Sequence, residues 1–449
     1  MHRPIAIPVS SGLSLAHALR SGRYAIAVLL IGGWVAGCVP AYEAKLESAR
    51  ARGDLERAAE LLARASERAP DDPAIVREQG ILACERGESA AARELLAKAL
   101  ADTPNDPRTI LYAAAASEQA GLWDEATARY RAAGDLYWDP EVAASIDCQW
   151  AAVDEKRLST LVADRLAAEE SGTLPAPTRI LMLPFAAPQQ PVALNLRLGL
   201  AALLADDWEA SDPAVVPYTE LTALLTALSV SVDDPLSTET RERLARLTGA
   251  RYVLAGQLSE LNDLVSVAPV LIDRGTASAS PQEWRLEYRQ SRVATLVDLE
   301  RTLVHQIAST LDIPLPASGP EGARVFAAES GLAVALFGEA ERLRHAGDRK
   351  QALERLDGSL GLDAEFRPAA EARVKLGDCA AVAGDPAALL QAYEAGLQRE
   401  RDRVAARELL EATTAANDRV GGAEGEGKDL SLNRPAASGA TSFTIRVPR

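Results

Sequence analysis

Residues 80–104 read GILACERGESAAARELLAKALADTP, and the main features of this stretch recur in its neighbours at a fixed spacing. Glycines that open a turn, alanines that allow close helix packing and prolines that separate units return every 34 residues. These positions are Gly53, Gly87 and Gly121; Ala58, Ala92 and Ala126; Ala65, Ala99 and Ala133; and Pro70 and Pro104. Trp138 stands where a third proline would fall. The spacing predicts stacked helix hairpins in the first third of the chain.

These columns resemble the tetratricopeptide repeat, whose units have this length. The resemblance implies a repeat array over residues 38–172 that holds peptides or partner proteins in a groove. We expect residues 141–157 and 158–170 to form a further helix pair; an alanine-rich bundle without a superhelix is the alternative to the array. The repeat register places eight side chains in the predicted partner-binding groove. They are Arg77, Ile81, Cys84, Glu85, Arg108, Leu111, Glu118 and Gln119.

The N-terminal segment has the order of a secretory signal. Three arginines and no acidic residue precede an apolar run, residues 24–35, which is too short to cross a hydrocarbon core of ~30 Å. The run ends in Val-Ala-Gly-Cys, which resembles the lipobox of bacterial lipoproteins. The resemblance implies removal of residues 1–37, lipid on Cys38 and, because Val39 replaces an inner-membrane retention aspartate, an outer-membrane, periplasm-facing location. A signal-anchor helix and a chance cysteine are the alternatives.

Composition argues against several partner classes. The chain has 449 residues and a net charge of −16, and removal of the signal takes the charge to −19. Nucleic acid is therefore not expected as a partner, because phosphate binding needs clustered cations. Three cysteines remain after Cys38, namely Cys84, Cys148 and Cys379; their odd number and wide spacing predict small buried apolar residues rather than disulfides. No zinc spacing occurs, so we expect no metal and no cofactor.

A module of mixed pattern is predicted over residues 178–314, after a proline-marked linker. Strands are expected over residues 179–185, 214–217, 251–258, 264–272 and 283–290, with helices over 194–208, 218–228, 237–248 and 296–311. Pro269 inside a strand predicts a sheet edge or a bulge there.

This order resembles the amino-terminal domain of TolB and the related domain of CsgG-type lipoproteins. The matching features are Pro184-Phe185, Gly199-Leu200, the stretch from Thr248 to Leu258, Leu271-Ile-Asp273, Trp284 and Val297-Asp-Leu299. The connection over residues 274–282 is longer and richer in serine than in that family. The resemblance implies a periplasmic protein-interaction module without catalysis.

Residues 321–418 return to helical spacing, with Gly347-Asp348 and Gly384-Asp385 as two further turns. They are expected to form a second tetratricopeptide-like stretch, with generic helix pairs as the alternative. Residues 421–449 are predicted as a disordered tail. Its end, residues 442–447, alternates at period two and is either a strand that adds to a sheet edge or a frayed terminus.

The predicted fold class is therefore α+β multidomain, with α-helical tetratricopeptide arrays flanking a small mixed-sheet α/β domain. We find no catalytic motif and expect no enzyme. The expected function is a membrane-anchored periplasmic scaffold or adaptor that binds envelope proteins or peptides, or further copies of itself. An assembly or export accessory and a cell-wall synthase regulator remain open. The alternative is an envelope hydrolase whose acid pair is not local in sequence.

Overall fold

The computed structural model describes residues 41–136, 140–188, 190–208, 214–275, 281–313, 328–377, 379 and 385–423. Cys38, Trp138, Gly384 and the predicted terminal strand lie outside the described residues. The chain divides into two compact units, Met1–Leu390 and Gln391–Arg449. The described part of the second unit is helical and ends at Ala423. None of the helices in the described ranges is long and apolar enough to cross a membrane.

The first unit begins with three helix hairpins. They pair α1 (Ala41–Ala51) with α2 (Leu55–Arg68), α3 (Pro73–Glu85) with α4 (Ser89–Asp102), and α5 (Pro107–Gln119) with α6 (Trp123–Leu136). Gly53, Gly87 and Gly121 adopt φ of +70°, +75° and +71° in the three turns, a conformation that glycine enters without strain. The predicted hairpins and their glycine turns are confirmed.

The next helix, α7 (Pro140–Ser171), differs from the prediction. A helix pair over residues 141–157 and 158–170 is wrong, because the chain continues as one helix of 32 residues. No glycine or proline interrupts residues 141–171, and alanine, leucine, glutamate and arginine favour a continuous helix. The first half of α7 packs on α6, and the second half reaches the α/β module.

The α/β module contains a five-stranded mixed sheet. Its elements are β1 (Arg179–Met182), α8 (Pro191–Asp207), α9 (Tyr218–Ala227), α10 (Thr238–Thr248), β2 (Ala250–Leu261), β3 (Leu264–Asp273), β4 (Gln282–Arg285), β5 (Arg289–Arg292) and α11 (Leu296–Leu311). The strand β1 is parallel to β2, and β3 is antiparallel to it. Asn262 and Asp263 adopt positive φ at the tip of the β2–β3 hairpin, as a tight primed turn requires. The predicted fold class is confirmed.

Two of the predicted strands differ in detail. Residues 283–290 do not form one strand, since β4 pairs with residues 270–273 of β3 and β5 pairs with residues 264–267. The interruption lies beside Pro269, which has no N–H for a ladder hydrogen bond, and Leu286 N–H donates to the Pro269 carbonyl at 3.1 Å. The segment around Val215 makes an isolated parallel bridge to Ile180 rather than a full strand.

Four helices follow: α12 (Gly331–His345), α13 (Arg349–Leu362), α14 (Arg367–Leu376) and α15 (Pro386–Ala423). Gly347 forms the α12–α13 turn with φ +83°. The helix α12 packs closely on α8, where a Cβ on Gly338 would lie 1.9 Å from the Asn195 carbonyl oxygen. Leu303, Phe337 and Phe366 share one apolar core with the sheet. The apolar core therefore continues past residue 314, where the sequence predicts a domain boundary.

A disulfide joins Cys148 on α7 to Cys379, which follows α14. The expectation that these cysteines are unpaired is wrong, because the fold brings together two residues 231 positions apart, with their Cα atoms 5.3 Å from each other. Cys84 is free and buried, as predicted.

Candidate functional site

A network of buried charges connects the first helices of the three hairpins. We call Arg50, Glu78, Glu85, Arg108 and Tyr112 the array network. Arg50 donates from Nε to both oxygens of Glu85 at 3.0 and 3.1 Å, and from Nη2 to the Tyr112 hydroxyl at 2.9 Å. Arg108 Nη1 lies 2.6 Å from Glu78 Oε1. The network ties α1, α3 and α5 together.

The aromatic ring of Tyr112 adds to this network. The guanidinium carbons of Arg50 and Arg108 lie 5.8 and 6.0 Å from its centroid, within the range of a cation–π interaction. The side chains of Arg50 and Glu78 are each 8% exposed. Their charges therefore hold the helices together and are not available to a partner at the solvent-facing surface.

The eight predicted groove residues fall into four groups. Ile81, Cys84 and Leu111 are buried in helix packing. Glu85 and Arg108 belong to the array network. Glu118 is also buried and holds later helices together. Gln119 is exposed, and Arg77 is 31% exposed, with its guanidinium 3.3 Å from Glu78 Oε1 and 3.7 Å from Asp106 Oδ2.

Glu118 makes its contacts with α6 and α7. The Tyr130 hydroxyl donates to Glu118 Oε2 at 2.9 Å, and Gln149 Nε2 donates to the same atom at 2.7 Å. Burial raises the pKa of the Tyr130 hydroxyl well above its ordinary value, and the Glu118 charge adds to the effect. Gln119 Nε2 donates to the Cys84 carbonyl at 3.3 Å while the side chain stays on the surface.

Sequence reasoning missed Arg50, Glu78 and Tyr112. A usable signal was present for Tyr112, which precedes four alanines in its helix, but Arg50 and Glu78 stand among other charged or polar residues and carried no such signal. Pairing across 28 and 62 positions is set by the stacking of hairpins, so the partners themselves were not visible in the sequence.

A cavity of about 1,050 Å³ lies between the end of the array and the α/β module. Its walls come from α6, α7, α8, α9, α12 and α14, and both disulfide cysteines line it. On α7, Leu158, Val162 and Leu166 are spaced four residues apart and share one helix face. Small residues on α9, such as Ala223 and Ala227, line the same cavity, and their short side chains do not fill it.

Charged pairs surround this apolar surface. Lys375 Nζ lies 2.5 Å from Asp154 Oδ2, Arg157 Nε lies 2.8 Å from Asp154 Oδ1, and Arg131 Nη2 lies 2.6 Å from Glu371 Oε1. Burial acts to raise the pKa of Asp154, but the charges and hydrogen bonds of Lys375 and Arg157 outweigh it. The pKa of Asp154 is therefore below its ordinary value. Burial raises the pKa of Glu371, and the opposing cations Arg131 and Lys375 do not cancel this.

Two neighbouring acids, Glu300 and Asp207, meet at the core of the α/β module. Glu300 on α11 is 0% exposed, and burial followed by the neighbouring Asp207 charge raises its pKa well above the ordinary value. Protonated Glu300 can donate a hydrogen bond to Asp207. In the described ranges, no group of three or more His, Cys, Asp or Glu is arranged to hold a metal ion.

Comparison with known families identifies one part of the chain. A family model described as Tetratricopeptide repeat matches residues 49–109. The match spans α2 to α4 with parts of α1 and α5, which carry most of the array network. The chain therefore contains a tetratricopeptide repeat, the repeat class of proteins that bind other proteins.

Comparison with solved structures finds a chain from a structure of Naa15/Naa10 bound to HypK-THB. It is 11% identical in sequence and aligns with a TM-score of 0.22 over 79% of this chain and 70% of that chain. No curated protein matches the sequence.

Proposed function

We propose that this chain is a membrane-anchored periplasmic scaffold that binds a protein partner through its repeat array. The observation that carries the proposal is the tetratricopeptide match at residues 49–109 on a stack of three hairpins. Because the array network makes the first helices rigid, the accessible Arg77 and Gln119 are presented from a preformed surface. These two residues are the proposed contacts with an envelope protein or peptide.

The anchor in this proposal is lipid on Cys38. The helix α1 begins at Ala41, so the tether between lipid and array is very short and keeps the array beside the membrane. The Cys148–Cys379 disulfide supports an oxidising compartment such as the periplasm. The outer membrane is proposed because Val39 follows the lipidated position.

The α/β module is proposed as a second docking surface, in keeping with its resemblance to the TolB and CsgG-type domains. Leu261 and Leu264 pair with each other at the tip of the β2–β3 hairpin and are both exposed, which supports a contact there with an envelope machine or a second copy of the chain. The proposal covers both an assembly or export role and a cell-wall synthase role.

Removal of the accessible array contacts tests the proposal. The double substitution Arg77→Ala/Gln119→Ala keeps all five residues of the array network, although it removes the 3.3 Å hydrogen bonds from Arg77 to Glu78 Oε1. It is expected to reduce recovery of the bound partner from envelopes by about tenfold or more. The control Arg64→Ala removes an exposed arginine of α2 and is expected to leave recovery unchanged. Equal recovery from both variants would remove Arg77 and Gln119 from the account.

A hydrolase is the second candidate. Glu371 and Asp206 both line the cavity, and the raised pKa of Glu371 suits a general acid. Glu300 cannot act on a substrate in this conformation because it is fully buried. Turnover of a cell-wall or peptide substrate by the purified chain, abolished by Glu371→Gln, would favour this candidate over the scaffold.

A further inference from the structure

The cavity between α7 and α9 has a charge arrangement that the rest of the chain does not predict. The chain carries a net charge of −16, yet one buried carboxylate in the cavity wall, Asp154, is shared by two cations. Arg157 also lies 3.6 Å from Asp124 Oδ1, so it is shared between two acids, and Lys375 supplies the second cation at Asp154. Six acids and five cations line the cavity, so its preference for a charged ligand depends on which of them are accessible.

The cations are also the accessible members of their pairs. The side chain of Lys375 is 25% exposed while its partner Asp154 is 4% exposed. The same order holds for Arg131 over Glu371, for Arg344 over Glu341 and for Arg367 over Asp206. A molecule in the cavity therefore meets the positive end of these four pairs first, whereas Asp124, which lines the cavity and pairs with Arg157, is itself exposed.

Two of these cations converge on one ring. Arg131 Cζ and Lys375 Nζ lie 5.3 and 5.1 Å from the centroid of Trp150, which keeps the two charges within about 10 Å of each other. That separation is close to the Debye length of about 10 Å at 0.1 M ionic strength, so a single anionic group between the two cations interacts with both.

The apolar part of the cavity continues from this charged end. Leu158, Val162 and Leu166 form a row along α7, and the small side chains of α9 line the same cavity. A volume of about 1,050 Å³ is at the upper end of small-molecule sites and suits an extended apolar body.

We propose that this cavity binds a small anionic amphiphile, with its carboxylate or phosphate head at Arg131 and Lys375 and its alkyl chain along Leu158, Val162 and Leu166. The site is separate from the array surface that carries the scaffold function. Free fatty acids and phosphate-headed lipids share this chemistry, and the choice of probe distinguishes them.

Calorimetric titration of the full chain tests the proposal with four decyl probes below their micelle concentrations. Decanoate and decyl phosphate are expected to bind, decanol to bind about tenfold more weakly or worse, and decyltrimethylammonium not to bind. Preference for decyl phosphate over decanoate would identify a lipid phosphate as the natural head, and the reverse would identify a fatty acid. Binding of the cation as tightly as the anions, or no binding of either anion, would overturn the proposal.

Two variants locate the site. Arg131→Gln/Lys375→Gln is expected to weaken decanoate binding by about tenfold or more, since Asp154 keeps Arg157 and the fold keeps its disulfide. The matched control Arg355→Gln/Arg373→Gln removes two arginines of α13 and α14 whose partners are Glu339 and Asp357, outside the cavity lining. It is expected to bind as the parent does.

Ala163→Trp gives an independent test that leaves every charge in place. Ala163 is exposed on α7 and lines the cavity, so an indole there fills the space that the alkyl chain needs. Decanoate binding is expected to fall by about tenfold or more while the circular dichroism melting curve stays that of the parent. Parent-like affinity in the Ala163→Trp protein would contradict the assigned location.

Discussion

Glu300 is a carboxyl group in an apolar core, and its stability contribution depends on its proton. The side chain belongs to α11 and is fully buried, with Asp207 of α8 beside it and Arg301 next in sequence. Burial first, and the Asp207 charge second, raise the pKa of Glu300 well above its ordinary value of 4.5. An acid of this kind binds its proton more tightly in the folded chain than in the unfolded one.

The direction of the pH dependence follows from this difference. The contribution of Glu300 to stability is complete below about its unfolded pKa and declines as pH rises from there towards the folded pKa. Glu300→Gln keeps the shape and a donor towards Asp207 without the titration. We expect it to raise the free energy of unfolding by about 1 kcal/mol or more near pH 8 and by less near pH 5, measured by urea unfolding.

The control for this experiment is Glu354→Gln, which changes an exposed glutamate on α13. It is expected to shift the urea midpoint equally and little at both pH values. A Glu300→Gln protein with the same small shift at both pH values would show that Glu300 is ionised in the folded chain.

The array network shows why single groove residues were hard to assign. The sequence predicts Arg108 as a partner-binding cation, but in the structure Arg108 forms an ion pair with Glu78 and lies over the ring of Tyr112. The repeat register predicts which helix face a residue occupies. Whether its charge is neutralised by an ion pair depends on the side chains of the neighbouring hairpin. Arg77 on α3 is paired with Glu78 and Asp106 as well, but its side chain stays 31% exposed, against 13% for Arg108.

At the scale of elements, the Cys148–Cys379 disulfide connects α7 to the segment after α14. Ion pairs cross the same boundary, where Lys375 contacts Asp154 and Arg131 contacts Glu371. The disulfide closes a loop of more than two hundred residues, for which loop-closure entropy in the unfolded chain is large.

Removal of this cross-link is expected to destabilise the first unit. We expect the double substitution Cys148→Ser/Cys379→Ser to lower the free energy of unfolding by about 2–5 kcal/mol, measured by urea unfolding. A thiol reductant should reproduce the loss in the parent and change nothing further in the double variant. Ready alkylation of both cysteines in the folded, unreduced chain would contradict the cross-link.

Cys84 serves as an internal reference in the alkylation experiment. Burial raises the pKa of its thiol to about 12, and the Glu85 charge adds to the rise, so little thiolate is present at neutral pH. We expect Cys84 to react only after the chain unfolds.

The helices and strands differ in how far the sequence determines them. Glycine turns at Gly53, Gly87 and Gly121 are local requirements, so their spacing was sufficient to predict the hairpins. The helix α7 is continuous because no glycine or proline interrupts residues 141–171. The repeat register predicted a turn there without such a residue. The division of β4 from β5 needed both Pro269 and its facing strand, which lie far apart in sequence.

At the scale of the whole molecule, the least predictable features are those made by distant segments. The cavity walls come from six helices between α6 and α14. The disulfide joins Cys148 and Cys379, which the odd number of cysteines predicted to be unpaired. No local pattern encodes either, because each depends on how the array packs on the α/β module. Alanine-rich repeats indicated that a partner surface exists, but long-range packing determines which side chains it exposes.

The proposed anchor makes a prediction for the complete chain. Cys38→Ala is expected to move the protein from the membrane fraction to the soluble periplasmic fraction, because the lipid is lost. Val39→Asp should keep the protein on the membrane but move it to the inner one, as the lipoprotein resemblance implies. Fractionation with immunodetection measures both, and membrane retention of Cys38→Ala would exclude the lipid as the anchor.

The central claim is that the array face binds a protein partner, and photocrosslinking in intact envelopes tests it most directly. A photoreactive residue at Gln119 is expected to give one dominant crosslinked partner, whereas the same residue at Arg64 on α2 is expected to give none. Identical adducts from both positions, or no adduct from Gln119 in a chain that is folded and anchored, would contradict the account.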